Sequence, residues 1–429
     1  MNHGTWYALR RALRMLGRPV RVDAQKHGLV IHPYRGYGCS EQIFVIGRML
    51  RQSGMERARR RTDNSWGYDL LAAARHLTRR GASGVRIAAR FYGNETCTTS
   101  DRDGYFRVQM APGSVPATDR LWHTLELEVL EPEAAAGLKG QAQVFIPPDS
   151  ARFVVISDID DTVMYTGVAN KLMMLWRLFV QGASSRMAFP GVAAFYRALH
   201  QGISGNETNP MLYVSRGPWS LYEMLAAFFN IHGIPIGPLL FLREWGLTLQ
   251  QPLPRQAKEH KLKLIRGMLA LYKDLPFVLI GDSGQHDPET YARLISEYPG
   301  RVLAIYIRDI SRTARRTRKI NALAERVAAA GSTLLLAADT FRMAEHAAAH
   351  GLIAPAAVAL VAAERRAQSA ARQSSTQGLH GCQAEAGEAT ERDEQDNKTS
   401  VHYRSERDPP PDTEMESIGR QKKRSQGRR

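Results

Sequence analysis

The sequence predicts an α/β protein built on a parallel sheet, with a β-rich region before it and a polar tail after it. Residues 151–365 alternate near-continuous apolar runs with helical stretches. Such runs are typical of parallel strands that helices cover on both faces, in three layers. Residues 26–150 instead contain short β-like runs separated by turn residues, such as the DRDG sequence at 101–104. This pattern predicts a small β-sandwich-like domain.

The individual elements follow from these runs. In the β-rich region the predicted strands are LVIH, QIFVIGRML, GVRIAARFYG, GYFRVQM, LELEVL and QAQVFI, interrupted by a helical insertion at 67–80. In the second region they are FVVIS, MLYVS, LLFLR, FVLIG, VLAIYIR and STLLLAA. Residues 366–429 are polar, of mixed charge and almost without large apolar side chains. This composition predicts a disordered tail.

Composition narrows the class of protein. A chain of 429 residues suits two domains with extensions, and a hydrophobic fraction of 44% is normal for a globular protein. It contains no apolar run of about 18 residues, so we expect no membrane-spanning helix. The beginning of the sequence lacks the features of a secretory signal. The three scattered cysteines favour neither disulfides nor a zinc site, so we expect a protein of the reducing cytoplasm.

The net charge of +16 is distributed unevenly along the sequence. The tail holds 12 basic and 11 acidic side chains, so nearly all the surplus lies before residue 366. Residues 1–25 form a predicted basic amphipathic helix, with arginines interleaved among Trp6, Leu9, Leu13 and Leu16. This pattern is typical of a helix at an anionic membrane surface. The alternative is a helix docked on the protein's own core with its arginines in water.

Polar side chains end three of the predicted parallel strands. Asp158 and Asp160 follow the first of them, Ser215 ends the second, and Asp282 ends the fourth. The carboxyl ends of parallel strands are where such sheets place their ligands. Carboxylates gathered there need a compensating cation, and Mg²⁺ prefers oxygen ligands. The sequence therefore predicts a magnesium site in which Asp158 and Asp282 hold the ion between them.

Two further residues suit a phosphate beside that ion. Ser215 offers a hydroxyl group, and Lys261 offers a positive charge for phosphoryl oxygens. Lys258 and Lys263 are alternatives to Lys261 because they lie in the same short stretch. Magnesium, lysine and hydroxyl groups around one centre provide the electrostatic environment that phosphoryl transfer requires.

These residues resemble the haloacid dehalogenase superfamily. Its four motifs match, in order, the DIDDT sequence at 158–162, Ser215, Lys261, and the GDSGQHD sequence at 281–287. More narrowly, DIDDTVMYTGV, FPGVAAFYRAL, YVSRGPWSLYEML and FVLIGDSGQHDPETY are similar to the App1 family of Mg²⁺-dependent phosphatidate phosphatases. The matching motifs lie close together over residues 150–310. The resemblance implies a Rossmann-like parallel sheet with a small cap.

The resemblance also implies residue roles. Asp158 would be the nucleophile that forms an aspartyl-phosphate, and Asp160 would be the general acid and base and bind Mg²⁺ through its carbonyl group. Asp282 would be the second metal carboxylate, with Asp287 as a ligand or a support for it. The remaining catalytic or substrate-binding positions are Thr162, Ser215, Arg216 and Lys261. Thr162 is equally explained as a hydroxyl group at a helix start.

The segment at 170–182, NKLMMLWRLFVQG, is unusually apolar for a position near the cleft. One interpretation is a buried helix. The other is an entrance for acyl chains formed by Leu172, Met173, Trp176 and Phe179. A small cap would suit a substrate whose tails stay in a bilayer.

The favoured function is a phosphatidate phosphatase of the cytoplasm that works peripherally on an anionic membrane surface, on phosphatidate or a related phospholipid. One alternative keeps the chemistry and takes a nucleic-acid end phosphate. Nucleic acid is not favoured, because the aromatic and basic interleaving of single-strand platforms is missing. The other alternative is a lipid- or protein-binding module with a vestigial catalytic domain.

Overall fold

A computed structural model describes residues 28–51, 81–114, 120–159, 188–215, 217, 219–241, 257–311 and 313–370. Several predicted features lie outside these residues: the helix at 1–25, the insertion at 67–80, the apolar segment at 170–182, and the side chains of Asp160, Thr162 and Arg216. Among the helices that are described, none combines the length and apolar character needed to cross a bilayer.

The β-rich region forms one eight-stranded sheet. Its strands are β1 (Leu29–Pro33), β2 (Gly36–Gly38), β3 (Ile43–Arg51), β4 (Arg86–Phe91), β5 (Asn94–Thr99), β6 (Tyr105–Met110), β7 (Trp122–Glu131) and β8 (Lys139–Phe145). They run in the order β1-β3-β2-β8-β7-β4-β5, with β6 on β3, and only β2 and β8 pair in parallel. All six predicted runs are strands, whereas β2 and the polar β5 were not predicted.

Side chains from the strands of this sheet form one apolar core. Leu125, Leu127 and Val129 of β7 are buried in it, because alternate residues of a strand face the same side. Ile43 and Val45 of β3 and Val144 of β8 join the same core. The β-rich character is confirmed, while the division into two packed sheets of a sandwich stays a prediction.

The second sheet has six parallel strands, as predicted. They are β9 (Val154–Asp158), β10 (Met211–Ser215), β11 (Leu239–Phe241), β12 (Phe277–Asp282), β13 (Val302–Arg308) and β14 (Thr333–Ala337), in the order β11-β10-β9-β12-β13-β14. Each strand was visible in the sequence as a continuous apolar run because helices bury both faces of the sheet.

The helices form a layer on each side of this sheet. They are α1 (Val192–Gln201), α2 (Tyr222–Ile231), α3 (Ala257–Leu271), α4 (Asp287–Glu297), α5 (Ala314–Ala329), α6 (Thr340–Ala349) and α7 (355–370). Side chains of α1, α2, α6 and α7 share one core with the sheet, and side chains of α3, α4 and α5 share the other. The predicted tail at 366 was placed too early, because α7 continues to residue 370.

The two sheets contact each other through aromatic side chains. Tyr34, just after β1, is buried in the core of the α/β region rather than in that of its own sheet. Its ring lies 5.0 Å from the ring of Trp219 and 4.5 Å from that of Tyr222. His32 Nε2 lies 2.6 Å from Glu223 Oε1 beside this cluster. Trp219 and Tyr222 are therefore core residues.

Candidate active site

The polar strand ends meet at one edge of the parallel sheet. β9 lies between β10 and β12, so Asp158 has the strand ending in Ser215 on one side and the strand ending in Asp282 on the other. Asp158 pairs with Val214, one position before Ser215. The convergence that the sequence predicted follows directly from the parallel direction of the three strands.

Three carboxylates form a buried cluster at this edge. Asp158 and Asp282 are fully buried, and Asp287 is almost so. One oxygen of each lies within 4.8 Å of the others. Asp287 can approach because residue 281 is glycine: a Cβ atom there would lie 2.3 Å from Asp287 Oδ2. The glycine of the GDSGQHD sequence thus has a steric role.

Lys261 of α3 is the cation within this cluster. Its Nζ lies 2.9 Å from Asp158 Oδ1 and 2.5 Å from Asp287 Oδ1. Burial disfavours the charged form, but the two carboxylates outweigh it and raise the pKa of Lys261 well above its usual range. Lys263 is exposed. Of the two, Lys261 is therefore the one at the site; the side chain of Lys258 is not described.

The donor set suits a divalent cation. Among the described residues, three carboxylates (formally −3) and one ammonium group (+1) leave two negative charges in a buried site. Uncompensated buried charge is costly, and oxygen ligands of this kind are those of Mg²⁺. The residues present therefore fit the predicted cation.

The loop after β12 adds a residue that the sequence reasoning missed. The backbone N–H of Gln285 donates to Asp282 Oδ1 at 2.9 Å, and its Nε2 donates to Asp158 Oδ2 at 3.3 Å. Gln285 thus connects the two fully buried carboxylates. Its only signal in the sequence is its place inside the GDSGQHD stretch.

Arg316 of α5 holds this loop in place through hydrogen bonds to its backbone. Its Nε donates to the carbonyl oxygen of Ser283 at 2.8 Å, and its Nη2 donates to that of Gln285 at 2.6 Å. The same guanidinium group pairs with Glu289 in the first turn of α4. Nothing in the local sequence marked Arg316, since the loop it holds lies about 30 residues earlier.

Ser215 lies where the sequence placed it, buried at the end of β10. Its Oγ accepts a hydrogen bond from the backbone N–H of Gly217 at 3.1 Å. Asp160, Thr162 and Arg216 lie outside the described residues, so their places at the site stay predictions.

Fold and site together define a class: a three-layer α/β domain with buried carboxylates and a lysine at the carboxyl edge of its sheet. Residues 153–309 match the family model described as "Phosphatidate phosphatase APP1, catalytic domain". This segment is therefore similar to the App1-type catalytic domain, which confirms the resemblance inferred from the motifs.

Two curated relatives match the same region. Phosphatidate phosphatase APP1 of Saccharomyces cerevisiae is 31% identical over 155 residues, which is 36% of this chain and 25% of the relative. An uncharacterized protein of Schizosaccharomyces pombe is 30% identical over 156 residues, with the same two coverages. The aligned region thus spans about a quarter of the length of either relative.

Solved structures add no argument about function. A carbohydrate acetylesterase from Xanthomonas citri aligns over 67% of this chain and 71% of its own length, at 11% identity. The TM-score of 0.22 is too low to relate the two folds.

Proposed function

We propose that this chain is an Mg²⁺-dependent phosphatidate phosphatase that releases phosphate and diacylglycerol. The observation that carries this proposal is the buried cluster in which Lys261 joins Asp158 and Asp287 beside Asp282. The App1-type domain and the name of the yeast relative support the choice of substrate. A haloacid-dehalogenase-like arrangement of the sheet is part of the same proposal.

The cation would be held by the carboxylates of Asp158 and Asp282 and by the carbonyl group of Asp160. When bound, Mg²⁺ supplies charge compensation for the phosphoryl oxygens. Asp287 would support these ligands without binding the cation, since its oxygens accept hydrogen bonds from Lys261 Nζ and, at 3.3 Å, from the backbone N–H of Asp282. The hydrogen bonds that Asp287 makes support this division of roles.

In the proposed first step, a carboxylate oxygen of Asp158 attacks phosphorus. The bond from phosphorus to the ester oxygen breaks, and that oxygen leaves with the electron pair and takes a proton from Asp160. In the second step, Asp160 removes a proton from water, which attacks phosphorus and restores the Asp158 carboxylate. Protonation matters here because the leaving alcohol is a weak acid.

The remaining residues position the phosphoryl group. Ser215 and Arg216 would donate to its oxygens, and Lys261 would offset their charge while it orients Asp158. Gln285 donates a hydrogen bond to Oδ2 of Asp158, and Lys261 donates one to Oδ1. Both oxygens of the carboxylate are therefore held in place. A nucleophile held in this way needs little reorganisation before attack.

We also propose that the protein works in the cytoplasm at the periphery of an anionic membrane. The acyl chains of phosphatidate remain in the bilayer, and the surplus of basic residues before position 366 favours an anionic surface.

The test is phosphate release by the wild type and Asp158→Asn from three substrates: phosphatidate in mixed micelles, an aryl phosphate, and a 5′-phosphorylated oligonucleotide. We expect phosphatidate to be preferred, and Asp158→Asn to lose at least about 10³-fold, since removal of a nucleophile is among the most damaging substitutions in an enzyme. EDTA should abolish release and added Mg²⁺ should restore it.

The matched control is Asp274→Asn, which neutralises an exposed carboxylate far from the site in the fold. It should retain wild-type activity. Preference for the oligonucleotide would favour the nucleic-acid alternative. Binding to phosphatidate vesicles without any phosphate release would favour the vestigial-domain alternative.

A further inference from the structure

A groove of about 780 Å³ lies between the eight-stranded sheet and the edge of the parallel sheet. One wall is the outer face of β3. There, Phe44 and Ile46 alternate with Ile43 and Val45, whose side chains enter the core of the eight-stranded sheet. Ile46 packs in part against the core of the α/β region. Phe44 stacks on Tyr37, with ring centroids 5.4 Å apart.

The opposite wall is α3, the helix that carries Lys261. Lys263, Leu264 and Gly267 line the groove along this helix, together with Met268 and Leu271. The lining runs from His260 to Leu271, a length of about 16 Å at the rise of an α-helix. The apolar floor is therefore long and narrow rather than a rounded cavity.

One end of the groove lies near the candidate active site, although none of the site residues named above lines it. Phe241, the last residue of β11, lines the groove and pairs in register with Ser215. Trp219, after Ser215, also lines it and lies 4.8 Å from Phe241 between ring centroids. β11 is two strands from β9, so Phe241 lies about 10 Å across the sheet from Asp158.

The charge of the groove is positive. Arg35, Arg107 and Lys263 line it, and Glu41 is the only acid among its described lining residues. Glu41 is paired with Lys273, outside the groove. An apolar floor beneath a basic rim complements an anionic amphiphile, whose charge meets the rim and whose chain covers the floor.

Gly267, in the middle of α3, faces the open space of the groove. A Cβ atom at this position would have no atom within 4 Å. Glycine inside a helix lowers helix stability relative to alanine. No packing constraint requires glycine here, so a larger side chain at this position would project into the groove.

We infer that this groove binds an acyl chain of the phospholipid whose phosphate lies at Asp158. The inference rests on the proposed function and adds a site for the apolar part of the substrate. It is separate from the entrance predicted at 170–182, which lies outside the described residues.

The first test fills the groove at Gly267. Gly267→Phe places a ring in the open space, and Ala322→Phe places the same ring on an exposed face of α5 as a control. We expect Gly267→Phe to lower the ratio of kcat/KM for dipalmitoyl phosphatidate to that for an aryl phosphate at least tenfold. Ala322→Phe should leave the ratio at its wild-type value. An unchanged ratio in Gly267→Phe would overturn the inference.

The second test depends neither on hydrolysis of the substrate nor on a substitution in the groove. Asp158→Asn is exposed to phosphatidate with a photoreactive diazirine on its acyl chain, in mixed micelles, and the labelled peptides are identified. Label within 43–46 and 257–271 supports the inference; label confined to other segments, such as 170–182, overturns it. If the groove is labelled while the wild type releases no phosphate from phosphatidate, the proposed function fails and the groove stands as an acyl-chain site.

Discussion

At the scale of single residues, the candidate site depends on Lys261. The ammonium group joins the carboxylate at the end of β9 to the carboxylate at the start of α4, and it is buried with them. In water such contacts contribute little, but a buried charge without its partner is costly. The lysine is therefore expected to matter for stability as well as for phosphate binding.

We predict that Lys261→Met lowers the free energy of unfolding by about 3–5 kcal/mol, the range for removal of one partner from a buried ion pair. Phosphate release should also fall at least about a hundredfold, because one stabilising group for the phosphoryl oxygens is lost. Urea denaturation and an aryl phosphate assay measure the two effects.

Lys263→Met is the matched control for stability, two positions further along the same helix. Lys263 is exposed, so its removal should change the free energy of unfolding by less than about 0.5 kcal/mol. Equal unfolding midpoints for the two variants would contradict a structural role for the buried ammonium group.

At the scale of elements, the loop between β12 and α4 is held by α5. Arg316 donates to two carbonyl oxygens of the loop and pairs with Glu289 in the first turn of α4. Burial disfavours the charged form of Glu289, but hydrogen bonds from Arg316 and Lys319 lower its pKa to about 2. The ordinary value is 4.5, so the folded state holds this carboxylate ionised in mild acid.

This pKa gives a pH-dependent prediction. A carboxylate whose pKa is lowered on folding contributes its full stability above pH 4.5 and loses it as the pH falls towards 2. Glu289→Gln should therefore unfold at a lower temperature than the wild type at pH 6, and the difference should shrink steadily as the pH approaches 2. Thermal unfolding across that pH range is the measurement.

Glu259→Gln serves as the comparison, because Glu259 pairs with Arg293 in an exposed contact. Exposed pairs of this kind contribute little. A difference in melting temperature that is equally large at pH 6 and pH 2 for Glu289→Gln would rule out the proposed ionic contribution.

At the scale of the whole molecule, the eight-stranded sheet completes the core of the α/β region. Tyr34 packs against the rings of both Trp219 and Tyr222, and the backbone N–H of Arg35 donates to the Tyr222 hydroxyl group at 3.0 Å. The two sheets therefore bury part of the same apolar surface, and each is expected to depend on the other for stability.

We predict that Tyr34→Ala lowers the free energy of unfolding of the whole chain by about 3–5 kcal/mol, the range for removal of a buried aromatic ring. Tyr34→Phe keeps the ring and should lose much less. Chemical denaturation followed by the fluorescence of the tryptophans reports both variants. A loss below about 1 kcal/mol for Tyr34→Ala would show that the contact contributes little to folding.

The sequence by itself determined the class of fold and the location of the site. The six parallel strands were predicted because burial on both faces requires continuous apolar runs, and parallel direction brings Asp158, Ser215 and Asp282 to one edge. The strand β5 was missed because its NETCTT sequence is polar and mostly exposed. The catalytic roles of Asp160, Thr162 and Arg216 stay predictions.

Only the tertiary structure decided that Gln285 and Arg316 complete the site, and that its lysine is Lys261 rather than Lys263. Lys261 is 103 residues from Asp158 in the chain, and Gln285 is 127 residues from it. Local patterns report periodicity and turns, but a contact across such distances depends on how α3, α4 and α5 pack on the sheet. The groove beside α3 also depends on the tertiary structure, because one wall is a strand of the eight-stranded sheet and the other is a helix of the α/β region.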